Sequence, residues 1–370
     1  RHFFLIKNSD KIKKILIIKF WGMGSILLAS PVLRAIKKKF PESQLYFLTL
    51  IQNKDICRTL KIIDNTMCLD VKNLSTFLIG LWRLFRTFRK EKFDLVIDLE
   101  FFTNFTALVT FITGSNYTVG FQTHKRWRNK FYTHRVTFAH DKHIRDIFLK
   151  MAHVLDIDTK DKSLERPFIS VKERKAIEQL FRANNIRDDE ILITLNINAH
   201  PLSYNRRWPK ENFVRLNKGL LERKNVRIFL IGGKDDKRYV DDFKQLFEHS
   251  PRVINLCNRI SLEELVALLE RCDLLITNDS GPLHLATALE MPTVSFFGPE
   301  TPSLYGPIEN EHIIFYKDLP CSPCLNVYTV KTSDCQDNKC MKAITVEEVL
   351  EKVNIFLEKF NKKRKRNFYK

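Results

Sequence analysis

The residues best suited to chemistry lie in one run, Asn278 to Ala286, which reads Asn-Asp-Ser-Gly-Pro-Leu-His-Leu-Ala. An apolar strand pattern precedes this run and a helical pattern follows it, so the polar residues lie where a strand ends and a helix begins. Ligands of open α/β sheets bind at such strand ends, and the first N–H groups of a helix suit a phosphate. Asp279 or Ser280 can cap the helix, and Gly281 permits close approach of a ligand. His284 can donate a hydrogen bond to an anion.

The alternative is an ordinary capped helix in which His284 packs locally. The longer segment, DLLITNDSGPLHLATALEMPTVSFFGPETP from Asp273 to Pro302, combines a D-S-G-x-x-H turn with a later F-G-P-x-x-P. This ordered pattern resembles the donor-site signature of glycosyltransferase family 9, which includes the lipopolysaccharide heptosyltransferases. The resemblance implies an α/β protein of the GT-B class, with two Rossmann-like, doubly wound domains that face a cleft.

The function implied by the resemblance is inverting transfer of a sugar, heptose from ADP-heptose, onto a lipopolysaccharide core or related anionic glycolipid. The family needs no cofactor for this reaction. The expected protein is a cytoplasmic monomer, peripheral at the inner face of the cytoplasmic membrane, with no nucleic-acid partner. The chain has no apolar run of the roughly 18–20 residues needed to span a bilayer.

Length and pattern predict the domains. A chain of 370 residues suits two domains, and strand patterns that alternate with helical patterns predict parallel, doubly wound sheets. We expect an acceptor-binding domain at residues 1–165 and a sugar-nucleotide domain at residues 166–344. Residues 345–370 are expected to form a helix and basic tail that cross back to the first domain.

Positive charge is concentrated in the first half of the chain. Residues 1–170 carry 30 Lys and Arg against 15 Asp and Glu, whereas the whole chain has a net charge of +19. Such a surface attracts nucleic acid, anionic lipid or an anionic substrate, and no RNA-binding motif accompanies it.

The helix predicted at Asn73 to Lys90 is either a membrane-surface helix or one buried on one face with snorkelling arginines. In the basic loop that follows Phe121, an anionic acceptor is expected to meet Lys125, Arg126 and Arg128.

The first strand pattern, Lys14 to Phe20, runs into a turn and a helix predicted at Ile26 to Lys39. This unit resembles the first motif of family 9, in which a Gly-Asp pair follows the strand and the Asp is thought to deprotonate the acceptor. Here the pair is Gly24 and Ser25, and a serine is no base at neutral pH without its own base. Gly24 is expected near the acceptor. The loss of the Asp also leaves open a non-catalytic relative that binds a sugar nucleotide or glycolipid.

A carboxylate has been gained at the end of another strand pattern, Phe93 to Leu99, where relatives usually carry an uncharged polar residue. We hypothesise that Glu100 takes over as the base, with or without a relaying water, and that Ser25 occupies the ancestral position. The alternative is that Glu100 is a solvated or structural carboxylate.

The remaining donor residues follow strand patterns of the second half. The loop after Ile191 to Asn196 resembles the family loop that grips the donor diphosphate, with Arg206 at its basic position. Arg can hold two phosphate oxygens at once. The resemblance places Ile260 near the adenine, just before a capping box formed by Ser261 and Glu264. The predicted donor-binding residues are Asn198, Ala199, Arg206, Lys234, Ile260, Asp279, Ser280, Gly281 and His284.

Four of the eight cysteines lie close together as C-x₂-C-x₁₀-C-x₄-C. Four thiolates can form a tetrahedral zinc site in a reducing compartment, so a structural zinc is one prediction. Free or redox-paired thiols are the alternative. The residues concerned are Cys321, Cys324, Cys335 and Cys340.

Overall fold

The apolar runs of the sequence form the strands of two separate parallel sheets. The computed structural model describes residues 12–101, 103–124, 126–199, 201–308, 311–325 and 333–368. The chain divides into unit 1, Arg1–Ile169, and unit 2, Ser170–Lys370. Each unit contains one six-stranded sheet, so the predicted α/β class with doubly wound sheets is confirmed.

The sheet of unit 1 has the order β3-β2-β1-β4-β5-β6. Its central strand, β1, is flanked by β2 and β4, and the side chains of Ile15 to Ile18 are fully buried because helices cover both faces. The order reverses between β1 and β4, which makes their carboxyl ends the switch point of this sheet. The strands are β1 (Lys14–Ile18), β2 (Gln44–Leu50), β3 (Asn65–Leu69), β4 (Leu95–Asp98), β5 (Tyr117–Gln122) and β6 (His134–Thr137).

The helices of unit 1 differ from the prediction at the first crossover. The predicted helix at Ile26 to Lys39 is two helices, and the first begins at Met23, inside the predicted turn. Pro31 lies in the first turn of the second helix, where its missing N–H costs nothing, and this favours a restart at that point. The helices are α1 (Met23–Leu28), α2 (Ser30–Lys39), α3 (Lys54–Thr59), α4 (Leu74–Glu91), α5 (Phe105–Ile112), α6 (Arg126–Asn129) and α7 (Ile144–His153).

The sheet of unit 2 repeats this topology in the order β12-β11-β10-β7-β8-β9. Its neighbouring strands are all parallel, and its switch point lies between β10 and β7. The polar run that opens the sequence analysis therefore starts at a switch point. The strands are β7 (Ile191–Asn196), β8 (Val226–Leu230), β9 (Val253–Asn255), β10 (Leu274–Asn278), β11 (Thr293–Phe297) and β12 (His312–Tyr316).

The helices of unit 2 include the predicted capping box, in which Ser261 Oγ accepts from Glu264 N at 3.1 Å and Glu264 Oε2 accepts from Ser261 N at 2.7 Å. This pair fixes the start of one helix and thereby the end of the loop after β9. The helices are α8 (Val171–Ala183), α9 (Lys210–Leu221), α10 (Lys237–Gln245), α11 (Leu262–Arg271), α12 (Gly281–Ala288), α13 (Pro302–Tyr305), α14 (Lys339–Lys342) and α15 (Val346–Phe368).

The long helix α15 belongs to the core of unit 2. Val349, Val353 and Leu357 are fully buried there, and Leu350 packs against Gly219 of α9. The structure describes contacts of this helix with α9, and its predicted crossing back to the first domain stays a prediction. The apolar stripe of α15 does not by itself identify every element that covers it. No helix in the described ranges is long and apolar enough to cross a membrane.

Candidate functional site

The predicted donor residues of unit 2 all follow the carboxyl ends of adjacent strands. Asn198, Ala199 and Arg206 come after β7, Lys234 after β8, Ile260 after β9, and the others after β10. Parallel strands bring these ends to one edge of the sheet. Asn198, Ala199, Asp279 and His284 are buried, whereas Lys234 is exposed and Ile260 is partly buried.

A hydroxyl–amide cluster links β7 to the start of α12. Asn196 Nδ2 donates to Thr277 Oγ1 at 2.9 Å and to Ser280 Oγ at 2.8 Å, and the two hydroxyl oxygens are 3.0 Å apart. Ser280 is the residue at the N-cap position of α12, but its side chain makes no capping bond. The hydroxyl of Ser280 therefore joins the start of α12 to β7, and its side chain does not make the capping bond that was predicted.

The start of α12 thus has backbone N–H groups that no described side chain caps. Such groups, together with the positive end of the helix dipole, form an anion-binding site. Pro282 lies in the first turn and has no N–H to donate, and Leu283 N donates to the carbonyl of Ser280 at 3.2 Å.

A second set of hydrogen bonds fixes the loop after β7. Trp208 N donates to Asn278 Oδ1 at 2.9 Å, Asn278 Nδ2 donates to the carbonyl of Asn198 at 3.0 Å, and Asn198 Nδ2 donates to the carbonyl of Ile231 at 2.8 Å. These bonds connect the ends of β10, β7 and β8. The loop that carries Arg206 is therefore held at both of its ends.

Arg206 lies beside the start of α12. Its Nη1 is 3.3 Å from Asp279 Oδ2, and both side chains are largely buried. A carboxylate in this position orients the guanidinium and leaves its other N–H groups for a second anion. The backbone also comes close at Gly232, where a Cβ would lie 2.5 Å from Asn198 Nδ2.

The switch point of unit 1 contains a buried ion pair. Lys19 Nζ is 2.8 Å from Glu100 Oε2, and it also donates to the carbonyl of Trp21 at 2.8 Å. The same Oε2 accepts from the backbone N–H groups of Phe20 at 3.1 Å and Trp21 at 3.2 Å. Glu100 Oε1 is buried and has no hydrogen-bond partner among the residues that the structure describes.

Glu100 therefore holds the turn that leads from β1 into α1, the helix that carries Gly24 and Ser25. Gly22 adopts a left-handed φ of 86° in this turn, which a residue with a side chain rarely adopts. The contacts favour a positioning role for Glu100 over direct proton transfer, because Oε2 already accepts three hydrogen bonds. Glu100 as a general base stays a prediction.

A second carboxylate, Asp98, lies fully buried beside Glu100. Tyr132 donates to its Oδ2 at 2.6 Å and Glu100 N donates to its Oδ1 at 2.9 Å. Burial raises the pKa of Asp98 to about 6, against the opposing effect of the Arg128 guanidinium, Tyr132 and the Glu100 N–H. The sequence analysis gave Asp98 no function, because only the folded chain shows that it is buried.

Arg128, predicted to contact the acceptor, is buried. Its Nη1 donates to the carbonyl of Phe101 at 2.8 Å and its Nη2 to the carbonyl of Glu100 at 2.5 Å. These contacts favour a role in holding the strand end of β4. Arg126 begins the short helix α6, and Lys125 lies outside the described residues.

The comparisons with known proteins identify the family of this chain. The sequence model of a family described as glycosyltransferase family 9 (heptosyltransferase) matches residues 81–333. The chain belongs to glycosyltransferase family 9. It is a heptosyltransferase-like glycosyltransferase, as the resemblance predicted.

Three proteins similar to this family 9 enzyme match along nearly their whole length. Lipooligosaccharide heptosyltransferase 2 of Campylobacter jejuni is 24% identical over 341 residues, which cover 91% of this chain and 96% of the relative. The structure of a family 9 glycosyltransferase from Veillonella parvula aligns with a TM-score of 0.77 at 24% identity, covering 94% of this chain and 97% of the other. The ADP-heptose LPS heptosyltransferase II of E. coli aligns with a TM-score of 0.74 at 17% identity, covering 94% and 99%. The fold is accordingly GT-B-like.

One residue beside the candidate donor edge was not singled out by the sequence analysis. Arg207 lies with its guanidinium 4.1 Å from the ring centre of Tyr204 and 4.2 Å from that of Tyr239, and its Nη2 is 3.5 Å from Asp236 Oδ1. This stacking ties the loop after β7 to α10. The adjacent arginines Arg206 and Arg207 thus have different neighbours, a distinction that the sequence does not carry.

The zinc prediction finds no support in this family 9 chain. Among the residues that the structure describes, no group of three or more His, Cys, Asp or Glu side chains could hold a metal ion, and all eight cysteines are free thiols. Burial raises the pKa of the Cys340 thiol to about 11, so this side chain is protonated at neutral pH. Its Sγ would lie 2.7 Å from a Cβ at Gly298, which shows how closely it packs under β11.

Proposed function

We propose that this enzyme transfers heptose from ADP-heptose to a hydroxyl of a lipopolysaccharide or lipooligosaccharide core acceptor. Support comes from two similar proteins, a lipooligosaccharide heptosyltransferase and an ADP-heptose LPS heptosyltransferase. The acceptor of such a reaction is an anionic glycolipid, and the net charge of +15 in residues 1–170 suits an anionic partner. We further propose that the enzyme works as a monomer, peripheral at the inner face of the cytoplasmic membrane.

The observation that carries this proposal is the pairing of Arg206 with the uncapped start of α12. Two phosphates of a sugar nucleotide need positive charge and N–H donors, and this edge of unit 2 offers both next to each other. The loops after β8 and β9, which hold Lys234 and Ile260, lie along the same edge and suit the nucleoside. His284 is a further donor in the first turns of α12.

The proposed reaction is a direct displacement. An acceptor hydroxyl attacks the anomeric carbon from the face opposite the diphosphate, its bond to the nucleotide breaks, and the configuration inverts. Negative charge accumulates on the leaving ADP, and the donors that bind the ground-state diphosphate stabilise this charge further in the transition state. No cofactor enters this scheme.

The hydroxyl proton must still be accepted. Ser25 stands where the family motif has Asp, and Glu100 is the carboxylate proposed to replace it. The atom of Glu100 that would take the proton is Oε1, since Oε2 is bound by Lys19 and two backbone N–H groups. A non-catalytic relative that only binds the sugar nucleotide is the alternative, and Ser25 is the residue that favours it.

The decisive measurement is acceptor-dependent release of ADP from ADP-heptose, with a core glycolipid as acceptor and parallel reactions with UDP-, GDP- and other ADP-sugars. We expect acceptor-dependent release of nucleotide with ADP-heptose and with none of the other sugar nucleotides. Release with another donor would keep the reaction type and replace the proposed sugar. Binding of ADP-heptose without release in the presence of several core acceptors would favour the binding-only relative.

A further inference from the structure

We propose that the exposed apolar side of α4 docks on the surface of an anionic phospholipid bilayer. This inference rests on the proposed function, because docking there would bring the enzyme to its membrane-bound acceptor. We call this side the α4 surface. It consists of Leu74, Leu78, Trp82 and Phe85.

The α4 surface is far more exposed than large apolar side chains of a helix normally are. Leu74 is 72% exposed, Leu78 54%, Trp82 57% and Phe85 46%. Their spacing places them along one stripe, beside a second stripe in which Leu84 and Phe88 are buried in unit 1. The helix therefore uses its inner stripe for the core of unit 1 and leaves its outer stripe exposed.

Basic residues surround this stripe. Between Lys72 and Lys92 the chain has six Lys or Arg residues and one acidic residue, Glu91. Glu91 is engaged inside the unit, where its Oε2 accepts from Lys14 Nζ at 2.7 Å and from the Tyr46 hydroxyl at 3.0 Å. The outward charge of the helix is thus strongly positive, which complements the phosphates of anionic lipids.

The cations lie against the aromatic rings. The guanidinium carbon of Arg86 is 4.7 Å from the ring centre of Trp82, and that of Arg89 is 5.0 Å from the ring centre of Phe85. A ring that enters the boundary of headgroups and acyl chains next to a guanidinium that stays at the phosphates is the pattern of an interfacial helix.

The apolar area extends onto the neighbouring helix. The crossovers that contain α4 and α5 run in the same direction across the sheet, which places both helices on one face. Phe77 and Phe105 join them with ring centres 5.8 Å apart. On α5 the exposed apolar side chains are Leu108, Phe111 and Ile112. Two adjacent helices with exposed apolar side chains, with basic residues along α4, suit an extended anionic surface better than a single peptide.

The test uses sedimentation of the full chain with vesicles. One set contains phosphatidylglycerol with phosphatidylethanolamine and the other is phosphatidylcholine alone. We expect binding to the anionic set, weaker at higher salt. The variant W82S/F85S should bind at least about tenfold more weakly, since two apolar anchors are lost. Replacing Arg83, Arg86 and Arg89 by Gln should weaken binding on the order of a hundredfold.

The matched control is L246S, which removes an exposed apolar side chain from unit 2 and should bind vesicles as the unchanged protein does. All four proteins should melt at similar temperatures, because the substituted residues are exposed. Quenching of Trp fluorescence by brominated lipid gives a second readout, and we expect the quenching to fall in W82F. Equal binding of W82S/F85S and the unchanged protein to anionic vesicles would overturn the proposal. It would also be overturned if sedimentation velocity showed a dimer of the unchanged protein that W82S/F85S loses, because the α4 surface would then contact a second copy of the chain.

Failure of the surface and failure of the proposed function are separable. If both proposals hold, W82S/F85S should keep turnover with a deacylated, water-soluble acceptor and lose it with the same core embedded in vesicles. Vesicle binding that depends on Trp82 and Phe85, in a protein without heptosyl transfer, would support the surface and refute the function. Transfer to embedded acceptor that is insensitive to W82S/F85S would refute the surface alone.

Discussion

Lys19 and Glu100 are 81 positions apart in the sequence and meet as a buried ion pair at the switch point of unit 1. Removing one partner of such a pair leaves the other charge buried without compensation, whereas replacing both is often nearly neutral. We therefore expect Glu100→Gln to lower the free energy of unfolding by about 3–5 kcal/mol, and Lys19→Met with Glu100→Gln to recover most of this loss. Urea unfolding of the three proteins measures both values.

The same variants decide the role of Glu100 in catalysis. If Glu100 only positions the turn into α1, the double variant should recover turnover together with stability. If Glu100 is the base, both variants should lose turnover by about 10²–10⁴-fold and the pH dependence of kcat should change, even where stability returns.

Asp98 gives unit 1 a pH dependence of known sign. Its pKa is about 6 in the folded protein, above the ordinary value, so the unfolded chain ionises first as the pH rises. This residue therefore contributes a loss of stability from about pH 4 to about pH 6, on the order of 3 kcal/mol, and no further change above that range. The free energy of unfolding of Asp98→Asn minus that of the unchanged protein should increase over this interval and then level off. A difference that is constant from pH 4 to 7 would contradict the assigned pKa.

Arg206 is expected to contribute to ADP binding through charge and geometry together. Arg206→Ala should weaken ADP about 10- to 100-fold, the usual effect of hydrogen bonds to a charged group, and it leaves Asp279 facing the phosphates. The affinity of Arg206→Lys for ADP should lie between those of the unchanged protein and Arg206→Ala, because Lys keeps the charge and loses the planar pair of donors. Arg215→Ala is the control: this exposed arginine of α9 pairs with Glu347 away from the donor edge. Calorimetric titration with ADP measures the affinity of all three variants. Equal affinity of Arg206→Ala and Arg215→Ala would show that Arg206 does not contact ADP.

At the scale of elements, α15 is an integral part of the core of unit 2. Leu357→Ala should destabilise the protein by about 2–5 kcal/mol, because the side chain is fully buried and a cavity remains. Ile355→Ala, two positions earlier and exposed, should change stability by less than about 0.5 kcal/mol. Differential scanning calorimetry measures the shift, and a similar small shift for both variants would mean that α15 is not anchored as described.

The elements also show what the sequence could and could not predict. Apolar runs such as Ile15 to Ile18 predicted buried parallel strands. Asp279 was placed at a strand end because it directly follows an apolar strand pattern, and Arg206 was placed by the resemblance of its loop to the family's diphosphate loop. The break between α1 and α2 was missed because apolar periodicity continues through it. The apolar stripe of α15 predicted a packed helix but did not identify α9 as a partner, since apolar spacing does not specify which element covers it. The Lys19–Glu100 pair and the burial of Asp98 depend on strand order, which local patterns do not encode.

At the scale of the molecule, the two units differ in how far their functional residues can be predicted from the sequence. The donor edge of unit 2 was outlined by a long motif, so its residues could be named before the fold was known. Unit 1 has a changed first motif, and several of its charged residues are buried against neighbouring groups. Arg128 is an example: it was predicted to meet the acceptor, and its Nη1 and Nη2 donate to the carbonyls of Phe101 and Glu100.

The side chain of Ser280, bonded to Asn196 rather than to the start of α12, has a practical consequence for the whole protein. A phosphate bound there would accept hydrogen bonds from the first N–H groups of α12, as a capping side chain does. Binding would therefore increase the free energy of unfolding. A ligand present at a hundred times its Kd should contribute about 2.7 kcal/mol. Melting temperatures recorded with a panel of sugar nucleotides should therefore rank the donors, and this ranking requires neither a purified acceptor nor knowledge of the catalytic base.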